Sequence, residues 1–109
     1  MEEIEFNEWQ KIDLRTAKII GVDDVAGKDK LYQLQIELGE EKGQLVAGIK
    51  PFYSKEELIG KTIIVVANLK PARIAGIESQ GMLLAVKRAD NSYCLLTTDR
   101  ETLSGTKVE

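Results

Sequence analysis

The chain has 109 residues, a formal net charge of −3, one cysteine and no histidine. This composition fits one compact domain, residues 1–109, and excludes an internal disulfide and every catalytic triad or zinc site that uses imidazole. The acidic N-terminus lacks the order of a secretory signal and no apolar run is long enough to span a bilayer, so we expect a cytoplasmic protein without membrane contact.

Charge is unevenly distributed along the chain. Residues 1–49 contain 6 basic and 11 acidic side chains, residues 50–88 contain 7 and 3, and residues 89–109 contain 2 and 4. The net charges of these segments are therefore −5, +4 and −2. We expect a polyanion to be met by the middle segment.

The first half of the chain predicts three strands. Residues 14–25 contain β-branched and small residues without helical spacing, which is typical of one long strand that Gly21 allows to bend. Residues 31–38 alternate strictly between apolar and polar side chains and predict a half-exposed strand. A charged turn at residues 39–43 then leads to a short third strand at residues 44–47.

A short helix follows the three strands. The sequence Ser54-Lys55-Glu56-Glu57 is a capping box, in which a serine hydroxyl and a glutamate satisfy the first free amides of a helix. Gly60 stands where such a helix ends, so the helix has only one or two turns.

The second half of the chain predicts two or three further strands. The continuously apolar residues 62–67 indicate a buried strand, and Pro71 ends its pairing, so a loop follows. Residues 82–86 and 93–97 predict a hairpin around a polar turn at residues 90–92.

This order of elements predicts an all-β fold. Five strands with a short helix between the third and fourth are typical of the OB fold, a Greek-key barrel that binds oligonucleotides on one face, here with extra C-terminal strands. A split α+β sandwich is the alternative that the same order allows.

The loop at residues 68–82 is the candidate binding segment. Its side chains Asn68, Lys70, Arg73, Ser79 and Gln80 can donate hydrogen bonds to phosphates or base edges. A solvated surface loop explains the same composition. No other constellation predicts chemistry: the carboxylates lie in acidic surface stretches, and Cys94 within an apolar strand is best interpreted as a small hydrophobic residue. We therefore expect no enzyme activity, no metal and no cofactor.

Five segments of the chain carry a family resemblance. They are residues 13–15 (Asp-Leu-Arg), 29–32 (Asp-Lys-Leu-Tyr), 44–49 (Gln-Leu-Val-Ala-Gly-Ile), 65–71 (Val-Val-Ala-Asn-Leu-Lys-Pro) and 76–85 (Gly-Ile-Glu-Ser-Gln-Gly-Met-Leu-Leu-Ala). In order and approximate spacing they resemble the tRNA-binding domain family. That family includes the C-terminal domain and stand-alone β subunit of methionyl-tRNA synthetase, stand-alone tRNA-binding proteins and EMAP II-like domains.

The resemblance implies an OB-fold homodimer that binds tRNA by its shape and catalyses nothing. It implies a stand-alone module that acts with methionyl-tRNA synthetase or as a subunit of it. The surface that it implies consists of Asn68, Lys70, Arg73, Ser79, Gln80 and Met82, with Lys30 and Arg15 in support.

These assignments have alternatives. Arg15 and Lys30 can instead form ion pairs with nearby carboxylates, Met82 can pack in the core, and Asn68 can cap a turn. At the level of the whole chain, the alternative is a protein chaperone or export-related module of the CsaA type. That type shares the fold and the dimer, although it usually lacks the pair Asn-Leu-Lys-Pro and Ser-Gln-Gly-Met.

Overall fold

Two long antiparallel strands, β1 (Leu14–Val25) and β2 (Lys28–Leu38), organise the chain in a computed structural model that describes residues 1–109. The remaining strands are β3 (Glu41–Ala47), β4 (Thr62–Val66), β5 (Ala72–Ile74), β6 (Ile77–Ser79), β7 (Met82–Leu83), β8 (Ala85–Lys87), β9 (Tyr93–Leu95) and β10 (Lys107–Val108). The helices are α1 (Phe6–Trp9) and α2 (Lys55–Leu58). Each helix has four residues, so neither is long enough to cross a membrane.

The main sheet has the strand order β3-β2-β1-β4-β7, with β10 beside β1. Residues 14–18 of β1 pair with β4 and residues 18–25 pair with β2, so the sheet curls in the middle of β1. The register of β1 shifts between Ile19 and Gly21, which confirms the bend predicted at this glycine. The order, with α2 between β3 and β4, confirms the predicted all-β OB-fold barrel with extra C-terminal strands.

The inward-facing side chains form one apolar core. Tyr32, Leu34 and Ile36 of β2 are buried, as the alternation predicts. Leu58 of α2 packs into the same core. The capping box predicted at Ser54 is present: its Oγ accepts from the Glu57 amide at 3.2 Å, and its amide donates to Glu57 Oε2 at 2.7 Å. Hydrogen bonding from the Ser54 amide, and secondarily from the Ser54 side chain, to the Glu57 carboxyl lowers the pKa of that carboxyl.

Several predicted boundaries differ from the structure. β2 begins at Lys28 and β3 at Glu41, so the turn between β2 and β3 is shorter than predicted. The strand predicted at residues 82–86 is divided at Leu84, because this residue donates to Ile64 of β4 and accepts from Leu96 beyond β9. The predicted loop at residues 68–82 contains the β5–β6 hairpin, and α1 was not predicted.

Candidate nucleic-acid interface

Between β3 and β6 the barrel is closed by two side chains and one backbone hydrogen bond, a region we call the seam. The Val46 amide donates to Ser79 Oγ at 3.1 Å, and Ser79 Oγ donates to the Gly81 carbonyl at 3.2 Å. One residue on, the Gln44 amide donates to Gln80 Oε1 at 3.1 Å, and the Gln80 amide donates back to the Gln44 carbonyl at 2.9 Å. Ser79 and Gln80 therefore satisfy backbone groups of the free edge of β3.

These contacts hold the Ser79 side chain within the barrel. Its side chain is buried, with only 3% of the residue exposed, and its hydroxyl both donates and accepts within the chain. Gln80 is exposed; its Oε1 is used by the seam, whereas its Nε2 forms no hydrogen bond within the chain.

Gly81 completes the seam because no other residue fits there. Its φ is +140°, and a Cβ built at this position would lie 2.8 Å from the Val66 carbonyl oxygen. The Ser-Gln-Gly part of the motif is thus explained by barrel closure.

Gln44 orients the β5–β6 hairpin from the barrel side. Its Nε2 donates to the Glu78 carbonyl at 2.9 Å, and its Oε1 accepts from Gln33 Nε2 at 3.0 Å. Sequence reasoning missed Gln33 and Gln44 as positioning residues. The alternation of the sequence places both side chains on the outer face of the sheet, but the contact between Gln44 and β6 joins residues far apart in the sequence.

Asn68 fastens the N-terminal segment to the end of β4. Its Oδ1 accepts from the Asp13 amide at 2.9 Å, and its Nδ2 donates to the Lys11 carbonyl at 2.6 Å. Both functions of the side-chain amide are used, so Asn68 fixes the base of the loop that carries Lys70.

The β5–β6 hairpin and the loop before it present the two basic residues of the candidate segment. Ala75 and Gly76 form its tip with φ values of +53° and +80°, as a tight hairpin turn requires. Arg73 donates from Nη1 to the Gly76 carbonyl at 2.9 Å and lies directly opposite Glu78, while Lys70 is exposed in the preceding loop. Neither Lys70 nor Arg73 forms an ion pair.

The supporting residues Arg15 and Lys30 have different surroundings. Arg15 donates from Nε to Asp13 Oδ1 at 2.7 Å and from Nη1 to the Gly105 carbonyl at 3.3 Å. The hydrogen bond between the two side chains raises the pKa of Arg15 and lowers that of Asp13. Arg15 thus occupies the ion pair that was its alternative, whereas Lys30 is exposed at the start of β2 without one.

Met82 and Cys94 are both too exposed to be core residues. Met82 is 51% exposed, so it is not a core residue. Cys94 is also exposed, on the outer side of β9, which corrects its interpretation as a packed hydrophobic residue.

Comparison with known proteins places this geometry in one family. Residues 14–107 match the family model described as "Putative tRNA binding domain". The chain is 53% identical, over 96% of its length, to the methionine–tRNA ligase of Thermotoga maritima, of which it covers 16%. The chain also matches the methionine–tRNA ligase of Methanocaldococcus jannaschii and covers 17% of that protein. It therefore spans about a sixth of the length of these relatives.

Solved structures share the whole fold. The methionyl-tRNA synthetase-related protein of Pyrococcus horikoshii superposes with a TM-score of 0.93 at 32% identity and full coverage of both chains. The CsaA chaperone protein of Picrophilus torridus superposes with a TM-score of 0.90 at 34% identity, covering 98% of this chain and 100% of that one. Together with the match of residues 14–107, these likenesses show that the chain belongs to the tRNA-binding domain family.

Proposed function

We propose that this domain binds tRNA without catalysing a reaction, recognising the shape of the RNA rather than one anticodon. The observation that carries the proposal is the position of Lys70 and Arg73. Both cations project from the loop and hairpin that follow β4, both are exposed, and neither has a carboxylate within ion-pair distance. They lie in the one segment of the chain with a net positive charge, residues 50–88.

The proposed surface divides into contacting and positioning residues. Lys70, Arg73 and Lys30 neutralise phosphates, and Nε2 of Gln80 donates to sugar or base oxygens. Ser79 and Asn68 act indirectly, because their hydrogen bonds hold the hairpin and its base against the barrel. This division changes the roles expected from the resemblance, in which all of these residues touched RNA.

Titrations with unfractionated tRNA at several salt concentrations test this proposal. Each lost phosphate contact lowers the slope of log K against log salt by about 0.7 to 0.9. Lys70→Ala and Arg73→Ala should each show this change, with similar losses for different tRNAs. Lys42→Ala is the matched control, because this exposed lysine lies in the acidic turn region of β3. Unchanged slopes for both Lys70→Ala and Arg73→Ala would overturn their assignment as phosphate contacts.

The domain is also proposed to form a homodimer through its two chain ends. Ile4, Phe6, Trp9 and Ile12 are exposed on and around α1, although each is a large apolar side chain. Phe6, Trp9 and Ile12 line a cleft with Val108 of β10, so the N-terminal and C-terminal segments form one apolar surface. A two-fold axis through such a surface buries it in both copies. Sedimentation of the wild type and of Trp9→Glu tests this, and a wild-type monomer at micromolar concentration would contradict it.

The role that fits these properties is delivery of tRNA to methionine–tRNA ligase in the cytoplasm. Acting as a stand-alone module or as a subunit, the domain raises the local concentration of tRNA near the catalytic chain. Support comes from the matched ligases, which carry a related segment over about a sixth of their length. Co-purification of a tagged chain with the ligase tests the partnership.

A second candidate function is supported by the likeness to CsaA chaperone proteins. Suppression of aggregation of a denatured model protein, measured without RNA, distinguishes the two. A chaperone effect that added tRNA does not alter, together with no tRNA binding, would favour this second function.

A further inference from the structure

An apolar groove of about 430 Å³ lies beside the seam. Residues 46–49 form one wall and residues 82–85 form the other, while Tyr93 of β9 closes the side; eight of the nine lining residues are hydrophobic. The hydrogen bonds of the seam end at Val46, and the groove occupies the space beyond them. An apolar cleft therefore adjoins the seam, where Gln80 is one of the proposed RNA contacts.

Tyr93 presents a fixed aromatic ring to this groove. It is 37% exposed, and Phe52 packs edge-on against it with 5.7 Å between the ring centroids and 63° between the planes. The strand beneath is anchored, since the Leu95 amide donates to the Tyr53 hydroxyl at 3.1 Å. The hydroxyl of Tyr93 forms no hydrogen bond within the chain, so both its ring and its polar tip remain available.

A cation accompanies the ring. Lys87 of β8 lies directly opposite Tyr93 in the β8–β9 register, and directly opposed residues project from the same face of a strand pair. The buried Leu95, two residues from Tyr93, marks that face as the one turned towards the core and the groove. Lys87 and the adjacent Arg88 form no ion pair, and Asp90, in the turn between β8 and β9, accepts from Ser92.

We infer that this groove is a subsite for one unpaired nucleotide of an RNA, with the base stacked on Tyr93 and the phosphate on Lys87. A half-exposed ring beside an unpaired cation is the combination with which proteins hold single-stranded nucleotides. An apolar peptide would use the walls but leave Lys87 and Arg88 without a partner. The inference rests on the proposed function and adds a preference to it: the domain favours RNAs that offer an unstacked base.

The test uses an oligouridine octamer that carries one 2-aminopurine, whose fluorescence falls on stacking. The wild-type chain should quench it, and Tyr93→Leu should bind the octamer about 5- to 150-fold more weakly, the loss expected for one stacked base. Tyr93→Phe keeps the ring and should stay within about twofold. Cys94→Ser is the matched control on the opposite face of β9, and a blunt RNA duplex should bind equally to all four proteins. Melting curves accompany each titration.

A second variant keeps the test valid where Tyr93→Leu fails to fold. Lys87→Gln changes an exposed side chain, and it should weaken octamer binding and lower the salt slope by about one contact. If neither Tyr93→Leu nor Lys87→Gln changes the affinity for the octamer, the subsite is overturned. It is also overturned if a leucine-rich peptide binds through Tyr93 and the octamer does not bind. Wild-type tRNA binding that depends on Lys70 but not on Tyr93 would leave the proposed function intact and overturn only the subsite. A wild type that binds no tRNA at all would overturn the proposed function itself.

Discussion

The backbone amide of Val46 donates to the side-chain hydroxyl of Ser79 at 3.1 Å, in the position that a neighbouring strand's carbonyl would hold in a fully paired barrel. Because Ser79 is buried, Ser79→Ala leaves the Val46 amide without a partner, and we expect a loss of about 1 to 3 kcal/mol in the free energy of unfolding. Urea titration measures this loss. The tRNA affinity of the folded fraction should fall less than in Lys70→Ala, because Ser79 acts on the proposed RNA surface only by holding the hairpin.

The control for Ser79→Ala is Ser92→Ala, whose hydroxyl bonds only to Asp90 in its own exposed turn. Ser92→Ala should lower the free energy of unfolding much less than Ser79→Ala does. A normally stable Ser79→Ala chain with weaker tRNA binding would contradict the structural role and restore Ser79 as an RNA contact.

Asn68→Ala should release the N-terminal segment from the barrel. The variant removes the acceptor of the Asp13 amide and the donor to the Lys11 carbonyl, two hydrogen bonds worth about 0.5 to 1.5 kcal/mol each. Trypsin should therefore cleave after Lys11 faster than in the wild type, and the proposed dimer should dissociate at a higher protein concentration. Cleavage at the wild-type rate would show that the bonds do not hold this segment.

Glu78→Gln should strengthen tRNA binding. Glu78 lies directly opposite Arg73 on the exposed hairpin, so its charge weakens the attraction of this region for phosphate. The carbonyl that anchors the hairpin to Gln44 is unaffected by the change. We expect a gain of about 0.2 to 1 kcal/mol in binding, the range for exposed charges, which high salt abolishes. An equal gain at high salt would point to a change of conformation instead.

Asp24 makes part of the stability depend on pH. Hydrogen bonds from Lys55 at 2.9 Å and Lys50 at 3.0 Å hold the pKa of Asp24 below its ordinary value of 3.8. A carboxyl with a lowered folded-state pKa stabilises the fold above 3.8, and that contribution disappears as the pH falls through the lower value. The melting temperatures of wild type and Asp24→Asn should therefore differ at neutral pH and converge in acid. If the two melting temperatures differ by the same amount at every pH, the ionisation of Asp24 does not contribute to stability.

Much of the barrel could be predicted because its signals are local. The continuous apolar run of β4, the alternation of β2 and the capping box at Ser54 each act within a few residues, and each appears in the structure as predicted. The β5–β6 hairpin was missed because its strands have three residues each and its turn is Ala75-Gly76 rather than Asn-Gly.

The candidate site was harder to predict because residue type does not reveal direction. Lys70 and Arg73 are exposed as expected, whereas Ser79 and Asn68 turn towards partners more than 30 residues away in sequence. A polar residue in a family motif can serve the fold or the ligand, and only the contacts of its side chain distinguish these uses. Here the motif that identifies the family is largely explained by closure of its barrel.

Closure by side chains also governs how the domain can fail. Rotation of the Ser79 and Gln80 side chains would free the amides of Val46 and Gln44 while every strand pair remained intact. Along this edge β3 would then keep only the bond from the Gln80 amide, and its free amides could accept a strand from another molecule through domain swapping or aggregation. The Ser-Gln dipeptide therefore keeps the chain from self-association along β3, a protective role that is separate from any ligand.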